Sequence, residues 1–180
     1  KFVQEFSNVL SQCVFVCTDE MEVVQGDRVK KVSVVATDDP DITKVIALYL
    51  NGEPVPYPDF GQVVINDKLA EEFGLTQGDT ITIRYNGVDM VESKISGIFE
   101  NYVGNYLFMT AETYEALFGK EALYKNAYAK TDQKDLYLVS AQLSKGKGVA
   151  SVSVLNDLRI IVNNMMQSLD YIILLVIACA

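Results

Sequence analysis

A chain of 180 residues, 49% of them hydrophobic and 22% charged, is long and apolar enough to bury a core, which excludes wholesale disorder. Fifteen Lys and Arg against 24 Asp and Glu give a formal charge of −9. That charge repels a phosphate backbone and an anionic bilayer surface, so nucleic acid is excluded as a partner. The chain contains no His, which excludes His-based triads and His metal ligands.

The first ten residues predict a short amphipathic helix. Phe2, Phe6, Val9 and Leu10 fall on one helical face because they are spaced at i, i+4, i+7 and i+8. The chain begins at Lys1 without an initiator Met or a signal-peptide pattern, so we expect this start to lie inside a longer polypeptide.

The stretch "QCVFVCT" predicts a strand, since β-branched and aromatic residues separate Cys13 from Cys17. Positions four apart on a strand have Cα atoms ~13 Å apart, whereas a disulfide needs less than ~7 Å. We therefore expect Cys13 and Cys17 not to bridge each other, and all three cysteines, with Cys179, to be free. Small buried residues are the simplest role for them.

Next come two predicted strands, 29–37 and 45–50, with the acidic run "TDDPD" between them. This run lacks the spacing of a calcium loop, so a solvated turn is favoured over a cation site. The loop 51–61 carries three of the four prolines, which predicts no regular structure there.

Two segments follow the same order of strand, cap, short helix and glycine stop. In the first, Val63 to Ile65 predicts a strand, Asn66 or Asp67 a helix cap, and Gly74 a Schellman-type end. Asp79 then caps a turn that leads into a strand over 80–85. The Asn86-Gly87 pair predicts a hairpin into 88–100.

The second segment repeats this order. Leu107 to Met109 predicts a strand, Thr110 a cap, and Gly119 the end of a helix that turns Tyr114, Leu117 and Phe118 inward.

Downstream, the pattern predicts a strand over 126–131, a helix over 136–143 and a last strand over 149–155. The loop "SKGKGVAS" lacks the spacing of a phosphate-binding loop. Strands and helices alternate closely, which predicts mixed α/β or α+β architecture, with small mixed sheets and short packed helices. No motif points to a catalytic residue, a cofactor or a metal.

A loop rich in aromatic residues, "FENYVGNYLFM", connects two predicted strands. Aromatic side chains in a loop suit a contact surface, so the candidate partner contact is Tyr102, Val103, Gly104, Asn105 and Tyr106. The alternative is that both rings only cover the end of the sheet.

The C-terminal end changes character along its length. After Asn156 or Asp157 an amphipathic pattern predicts a helix, and near Ser168 its polar face disappears. Ten apolar residues are too few to span a bilayer core, which needs ~20. One interpretation is a buried helix that packs against the protein or a dimer neighbour. The other is the first half of a transmembrane helix, with Tyr171 at the interface. The membrane-entry residues would then be Tyr171, Ile172, Ile173, Leu174, Leu175 and Val176.

The pieces "GLTQGDTITI" and "GIFENYVGNY", followed by an amphipathic helix that runs into an apolar segment, resemble the extracytoplasmic domain of FtsX-like, MacB-related ABC transporter permeases. The resemblance covers residues 60–180 well and 1–60 loosely. It implies a domain inserted between two transmembrane helices that lacks catalytic residues, while a separate cytoplasmic subunit hydrolyses ATP. The chain would divide into an N-terminal stalk helix (1–12), the extracytoplasmic domain, in one or two lobes (13–155), a C-terminal stalk helix (156–170) and the start of a transmembrane helix (171–180).

The resemblance also implies partners and a location. The partners would be a cytoplasmic ATPase subunit, a permease dimer partner, the membrane, and an extracellular substrate or protein. The domain would lie on the extracytoplasmic side of the cell membrane. Two other classes remain open from the residues: a soluble ligand-binding or regulatory domain with a self-packing apolar C-terminus, and an enzyme that uses carboxylates or Cys13 and Cys17.

Overall fold

A computed structural model describes residues 2–154. The predicted C-terminal stalk helix and the apolar segment with Tyr171 to Val176 therefore lie outside the described residues. The chain divides into two compact units, one of Ser11–Lys130 and one of Lys1–Leu10 with Thr131–Ala180. We call them the ring unit and the terminal unit.

The ring unit contains strands and short helices. The strands are β1 Gln12–Gln25, β2 Arg28–Ala36, β3 Tyr49–Leu50, β4 Glu53–Pro54, β5 Gln62–Asn66, β6 Thr80–Tyr85, β7 Asp89–Phe99, β8 Tyr106–Met109 and β9 Asn126–Lys130. The terminal unit contributes α1, Phe2–Glu5, and α5, Leu136–Leu143; the ring unit contributes α2 Ile42–Val45, α3 Asp67–Phe73 and α4 Ala111–Phe118.

The main sheet closes on itself. Its strand order is β2-β8-β5-β7-β6-β1-β9, and β1 also pairs with β2. The strands β1, β2, β8, β5, β7 and β6 therefore form a closed ring, and β9 adds to the beginning of β1. The β2–β8 and β5–β7 pairs are parallel and the others antiparallel, which confirms the predicted mixed sheet with short packed helices.

Both faces of the ring bury apolar side chains because strand residues alternate between faces. The inner cluster takes side chains from all six ring strands and from α3 and α4. Ile81 and Ile83 of β6 belong to it. An outer cluster covers part of the other face, where Val64 and Phe108 pack with Ile42 of α2 and with Leu48.

Both predicted strand-helix segments are present. Gly74 and Gly119 end α3 and α4 in the left-handed conformation, with φ of 66° and 62°. Leu75 N donates to Ala70 O at 2.8 Å, which is the 6→1 bond of a Schellman motif. The strand predicted around Cys13 and Cys17 is also confirmed, and neither cysteine is in a disulfide.

Two predictions for the chain between β2 and β5 are wrong. Most of 45–50 is not a strand: Val45 ends α2 (Ile42–Val45), residues 46–48 are irregular, and only Tyr49 and Leu50 pair. The loop 51–61 is not wholly irregular, since Glu53 and Pro54 form β4. Proline is tolerated in this edge strand because it need not donate a hydrogen bond there.

The terminal unit has a small core of its own, formed by Phe6, Val9, Val139 and Leu143. The predicted N-terminal helix ends earlier than expected, at Glu5, and a turn follows. There the carbonyl of Val9 accepts from the Thr131 hydroxyl at 2.6 Å instead of continuing a helix.

Helix α5 confirms the helix predicted over 136–143, and its cap Asp135 accepts from Leu138 N at 3.0 Å. The strand predicted over 149–155 is wrong for residues 149–154, which have no regular structure. Val152 packs against the small core instead. A β-branched pattern forms a strand only where a neighbouring strand pairs with its backbone, and none does so here among the described residues.

Candidate functional site

The aromatic loop between β7 and β8 is closed by one side chain. Asn101 Nδ2 donates to the carbonyls of Val103 at 2.7 Å and Gly104 at 3.0 Å. Gly104 has φ of +74°, and a Cβ there would lie 3.3 Å from the Tyr106 ring. The sequence therefore builds a tight turn in which glycine is needed for its backbone conformation and for space.

The loop is fixed at both ends by the junction of β5 and α3. Asn101 N donates to Asp67 Oδ1 at 3.1 Å, and Tyr106 N donates to Asn66 Oδ1 at 2.9 Å. Lys68 Nζ lies 3.2 Å from Tyr102 O and 5.8 Å from the centre of the Tyr102 ring. Three consecutive residues thus fix the loop before any partner binds, which lowers the entropic cost of binding.

The five candidate residues differ in exposure. Tyr102 is 71% exposed and Val103 44% exposed, and Gly104 is also exposed. Asn105 is half-buried, and its side chain donates to Lys31 O at 3.2 Å.

Tyr106 is half-buried as well. Its ring stacks on Phe108 at 6.4 Å between centres, as part of the outer cluster. The structure therefore leaves Tyr102 and Val103 available for a partner and gives Tyr106 a packing role.

The loop lies at the end of the ring opposite to Ser11 and Lys130, where the chain enters and leaves the ring unit. Gln12 pairs with Lys130 at the beginning of β1. Glu20 of β1 pairs with Ser33, and Ser33 pairs with Tyr106. Glu20 lies eight residues beyond Gln12 along β1, so the loop is separated from the entry and exit of the ring unit by ~27 Å of strand. We call this end of the ring the distal end, and the aromatic loop between β7 and β8 the distal loop.

Sequence reasoning missed a neighbour of the loop, the β3–β4 hairpin. Glu100 N donates to Tyr49 O, and Glu100 Oε1 accepts from Asn51 N, both at 2.7 Å. Tyr49 is 47% exposed, so a third aromatic side chain lies beside the loop. The Asn51-Gly52 pair is a strong hairpin signal that could have found it, since both residues have positive φ as a type I′ turn requires.

The described residues offer little for catalysis. No group of three or more Cys, Asp and Glu residues in 2–154 could hold a metal ion. Burial raises the pKa of the Cys17 thiol, and an Asp19 charge nearby adds to the effect while hydrogen bonds oppose it. A protonated thiol is a poor nucleophile.

The acidic run "TDDPD" forms a turn, as predicted, in which Asp39 Oδ1 accepts from Asp41 N at 2.9 Å.

Comparisons with known proteins agree with this fold. No family model matches the sequence, and no curated protein matches it significantly. The structure is similar to the extracellular domain of the noncanonic ABC-type transporter YknZ from Gram-positive bacteria, with a TM-score of 0.52 and 14% identity over 83% of each chain. The periplasmic region of MacB from Actinobacillus actinomycetemcomitans is also similar, with a TM-score of 0.46 and 10% identity over 79% of this chain and 72% of that one.

The chain thus has the fold of an extracytoplasmic domain of an ABC transporter permease, and the fold expected from the resemblance to FtsX-like, MacB-related permeases is confirmed. None of the helices within residues 2–154 has both the length and the apolar character needed to cross a bilayer.

Proposed function

We propose that this chain is the extracytoplasmic domain of an ABC transporter permease that couples ATP-driven movement of membrane helices to an extracellular substrate or partner. The observation that carries the proposal is the shared fold with the extracellular domain of YknZ over 83% of both chains. In this function the domain is not an enzyme, and a cytoplasmic ATPase subunit supplies the energy. A second permease copy and the membrane complete the assembly at the cell membrane.

The entry and exit of the ring unit support an insertion between two stalks. Ser11 N donates to Lys130 O at 2.9 Å, so the two chain crossings lie side by side. An insertion between adjacent membrane helices requires its two ends to be close together. The N-terminal stalk, predicted as residues 1–12, would end before β1 begins at Gln12. The C-terminal stalk would be residues 156–170, and the membrane would be entered at Tyr171 to Val176.

The distal loop is the proposed partner contact. Tyr102 and Val103 are exposed on a loop that is already fixed in place, at the opposite end of the ring from Ser11 and Lys130. Exposed aromatic anchors of this kind commonly contribute more than ~1 kcal/mol to binding. Gly104 and Asn105 stabilise the conformation of the loop through hydrogen bonds, and the Tyr106 ring packs against Phe108.

The test replaces Tyr102 and Tyr106 separately by Ala in the full-length transporter. Tyr102→Ala should reduce transport or resistance in cells and change the free energy of unfolding of this chain by less than ~0.5 kcal/mol. Tyr106→Ala should destabilise the chain by ~2 kcal/mol, because it removes a half-buried ring stacked on Phe108.

Tyr137→Ala is the matched control, since Tyr137 is 74% exposed on α5. It should leave transport unchanged. Full transport by Tyr102→Ala, measured at normal protein levels, would remove the loop from the proposed function. A large loss of stability in Tyr102→Ala would instead assign the ring to packing.

A further inference from the structure

An apolar pocket lies between the end of α2 and the β3–β4 hairpin, and this hairpin is hydrogen-bonded to the residue that precedes the distal loop. It has a volume of about 110 Å³, and its walls include Ile46, Leu48, Tyr49, Pro54 and Val55. The backbone of Tyr49 is hydrogen-bonded to Glu100, which precedes the loop directly. The pocket therefore borders the segment of chain that leads directly into the loop carrying the exposed Tyr102.

The pocket offers few hydrogen bonds to a polar ligand. The Tyr57 hydroxyl already donates to Met109 O at 2.7 Å, and the Thr43 hydroxyl donates to Pro40 O at 3.2 Å. Val55 N donates to Leu48 O at 2.8 Å. Polar groups that would lose water here without gaining partners would weaken binding, so the pocket selects an apolar group.

The volume limits the size of that group. Small-molecule sites usually have ~300–1,000 Å³, which is far larger. A cavity of ~150 Å³ lined by apolar side chains holds benzene, which has six carbon atoms. In proportion, about 110 Å³ holds roughly four carbon atoms, the size of a branched aliphatic side chain.

The charges beside the pocket favour a cationic neighbour for that side chain. Glu53 directly precedes Pro54 in the pocket wall, and Glu100 is bonded to Tyr49. Neither carboxylate forms an ion pair with a Lys or Arg within residues 2–154; Glu100 accepts only from the neutral Asn51 N–H. The chain as a whole carries a formal charge of −9, which also attracts a cationic segment.

We propose that the pocket and the distal loop form one docking surface for a segment of a partner protein. The segment inserts one branched aliphatic side chain into the pocket and places a Lys or Arg next to Glu53 and Glu100. A lipid acyl chain fits less well, because it is much longer than the pocket and an anionic bilayer surface is repelled by the charge of the chain. The inference depends on the proposed function in one respect only: that function places this surface on the extracytoplasmic side and gives it a protein partner.

The experiment uses the complete chain with labelled methyl groups and titrates it with capped dipeptides, monitored by NMR. N-acetyl-Leu-Arg-amide should shift the methyl resonances of Ile46, Leu48 and Val55 in a saturable way, with a dissociation constant on the order of millimolar. N-acetyl-Ala-Arg-amide should bind at least about fivefold more weakly. N-acetyl-Leu-Glu-amide should bind about two- to fivefold more weakly, and added salt should reduce that difference.

Two variants check the site. Ala47→Leu should abolish the shifts, because the longer side chain occupies the pocket that Ala47 lines. Glu53→Gln should weaken both Arg peptides, leave the Leu-Glu peptide no weaker, and so lower the preference for the Leu-Arg over the Leu-Glu peptide. Glu92→Gln, an exposed carboxylate of β7, is the matched control and should change neither affinity. Glu53→Gln keeps the test decisive if Ala47→Leu fails to fold.

Three outcomes would overturn the proposal. One is the absence of saturable shifts at these methyl groups with the Leu-Arg peptide. Another is equal binding of the Leu and Ala peptides. The third is that vesicles of phosphatidylglycerol and phosphatidylcholine shift the same resonances while the dipeptides do not, which would assign the pocket to lipid. Each can occur while Tyr102→Ala still impairs transport, so the failure of this inference is distinguishable from the failure of the proposed function.

Discussion

The segments β5–α3 and β8–α4 share one sequence pattern but use their cap residues differently. In β8–α4 the cap Thr110 accepts from Thr113 N at 3.0 Å, so its side chain serves its own helix. In β5–α3 the cap Asn66 makes no such bond, and its Oδ1 accepts instead from Tyr106 N. Asp67, the next residue, accepts from Asn101 N.

The difference teaches that a cap residue can be used to position a distant loop. Strands β5 and β8 are antiparallel, so the two junctions lie at opposite ends of the ring. Only the β5–α3 junction lies beside the aromatic loop. Its Asn66 is fully buried, and Asn66 Nδ2 has no hydrogen-bond partner among the described residues. The junction thus combines loop anchoring with one unsatisfied donor, whose usual cost is ~1–3 kcal/mol.

The largest effect is expected where the two segments are alike. Phe73 ends α3 and Phe118 ends α4, and both are buried in the inner cluster. Phe73→Ala and Phe118→Ala should each lower the free energy of unfolding by ~3–5 kcal/mol, because each leaves a cavity in the ring. Urea unfolding of the two variants measures this. A loss below about 1 kcal/mol in either one would show that its helix contributes little to the core.

An intermediate effect should separate the junctions. Asn66→Ala leaves Tyr106 N without its acceptor and removes fully buried side-chain volume, but it also removes the unsatisfied Nδ2 donor, so the net cost should be ~1 kcal/mol. Thr110→Ala should cost ~1 kcal/mol by removing a helix cap. Hydrogen exchange should become faster at Asn101 and Tyr106 in the first variant, and at Thr113 in the second. Thr110→Ser keeps the hydroxyl and is the matched control. Faster exchange in α3 instead of the loop in Asn66→Ala would mean that Asn66 is an ordinary cap.

The smallest effect concerns the exit from α3. Thr76 N and the Thr76 hydroxyl donate to Asp79 Oδ2 at 2.7 and 2.9 Å, which lowers the pKa of the Asp79 carboxyl. The stability it adds is present above the unfolded-state pKa and is lost as the pH falls from about 4 through the lowered folded-state pKa.

The unfolding midpoint of Asp79→Asn should therefore lie slightly below that of the original chain at neutral pH, and the two should converge on acidification. The carboxyl is exposed, so the difference stays small and decreases with salt. Asp89→Asn at the start of β7 controls for the loss of a surface charge. A gap between the original chain and Asp79→Asn that widens toward low pH would contradict the assignment.

Local chemistry made several elements predictable. The strand at 80–85, the Asn86-Gly87 hairpin and the glycine stops at Gly74 and Gly119 depend on interactions within a few residues, and the structure confirms them. The wrong predictions concern segments whose conformation depends on contacts with residues far away in the sequence. Residues 149–154 have a strand pattern, but no strand among the described residues pairs with them. In 45–50 only Tyr49 and Leu50 pair, and Val45 ends α2, whose Ile42 is buried in the outer cluster.

The candidate site was only partly predictable for the same reason. The sequence placed two tyrosines in one loop, but the stacking of Tyr106 on Phe108 and the exposure of Tyr102 depend on strands far apart in the chain. The pocket and the unpaired carboxylates near Tyr49 had no sequence signal of their own, apart from the Asn51-Gly52 turn.

The sequence by itself determined the glycine-terminated helices, the Asn86-Gly87 hairpin, the mixed α/β character and the resemblance that predicted the fold, because caps, turns and alternation act over short distances. Only the tertiary structure decided that β1 pairs with both β2 and β6 and so closes a ring. It also decided that Asn66 and Asp67 hold a loop some 35 to 40 residues further along the chain. Such pairings depend on burial and on backbone hydrogen bonds between segments, which no local pattern specifies.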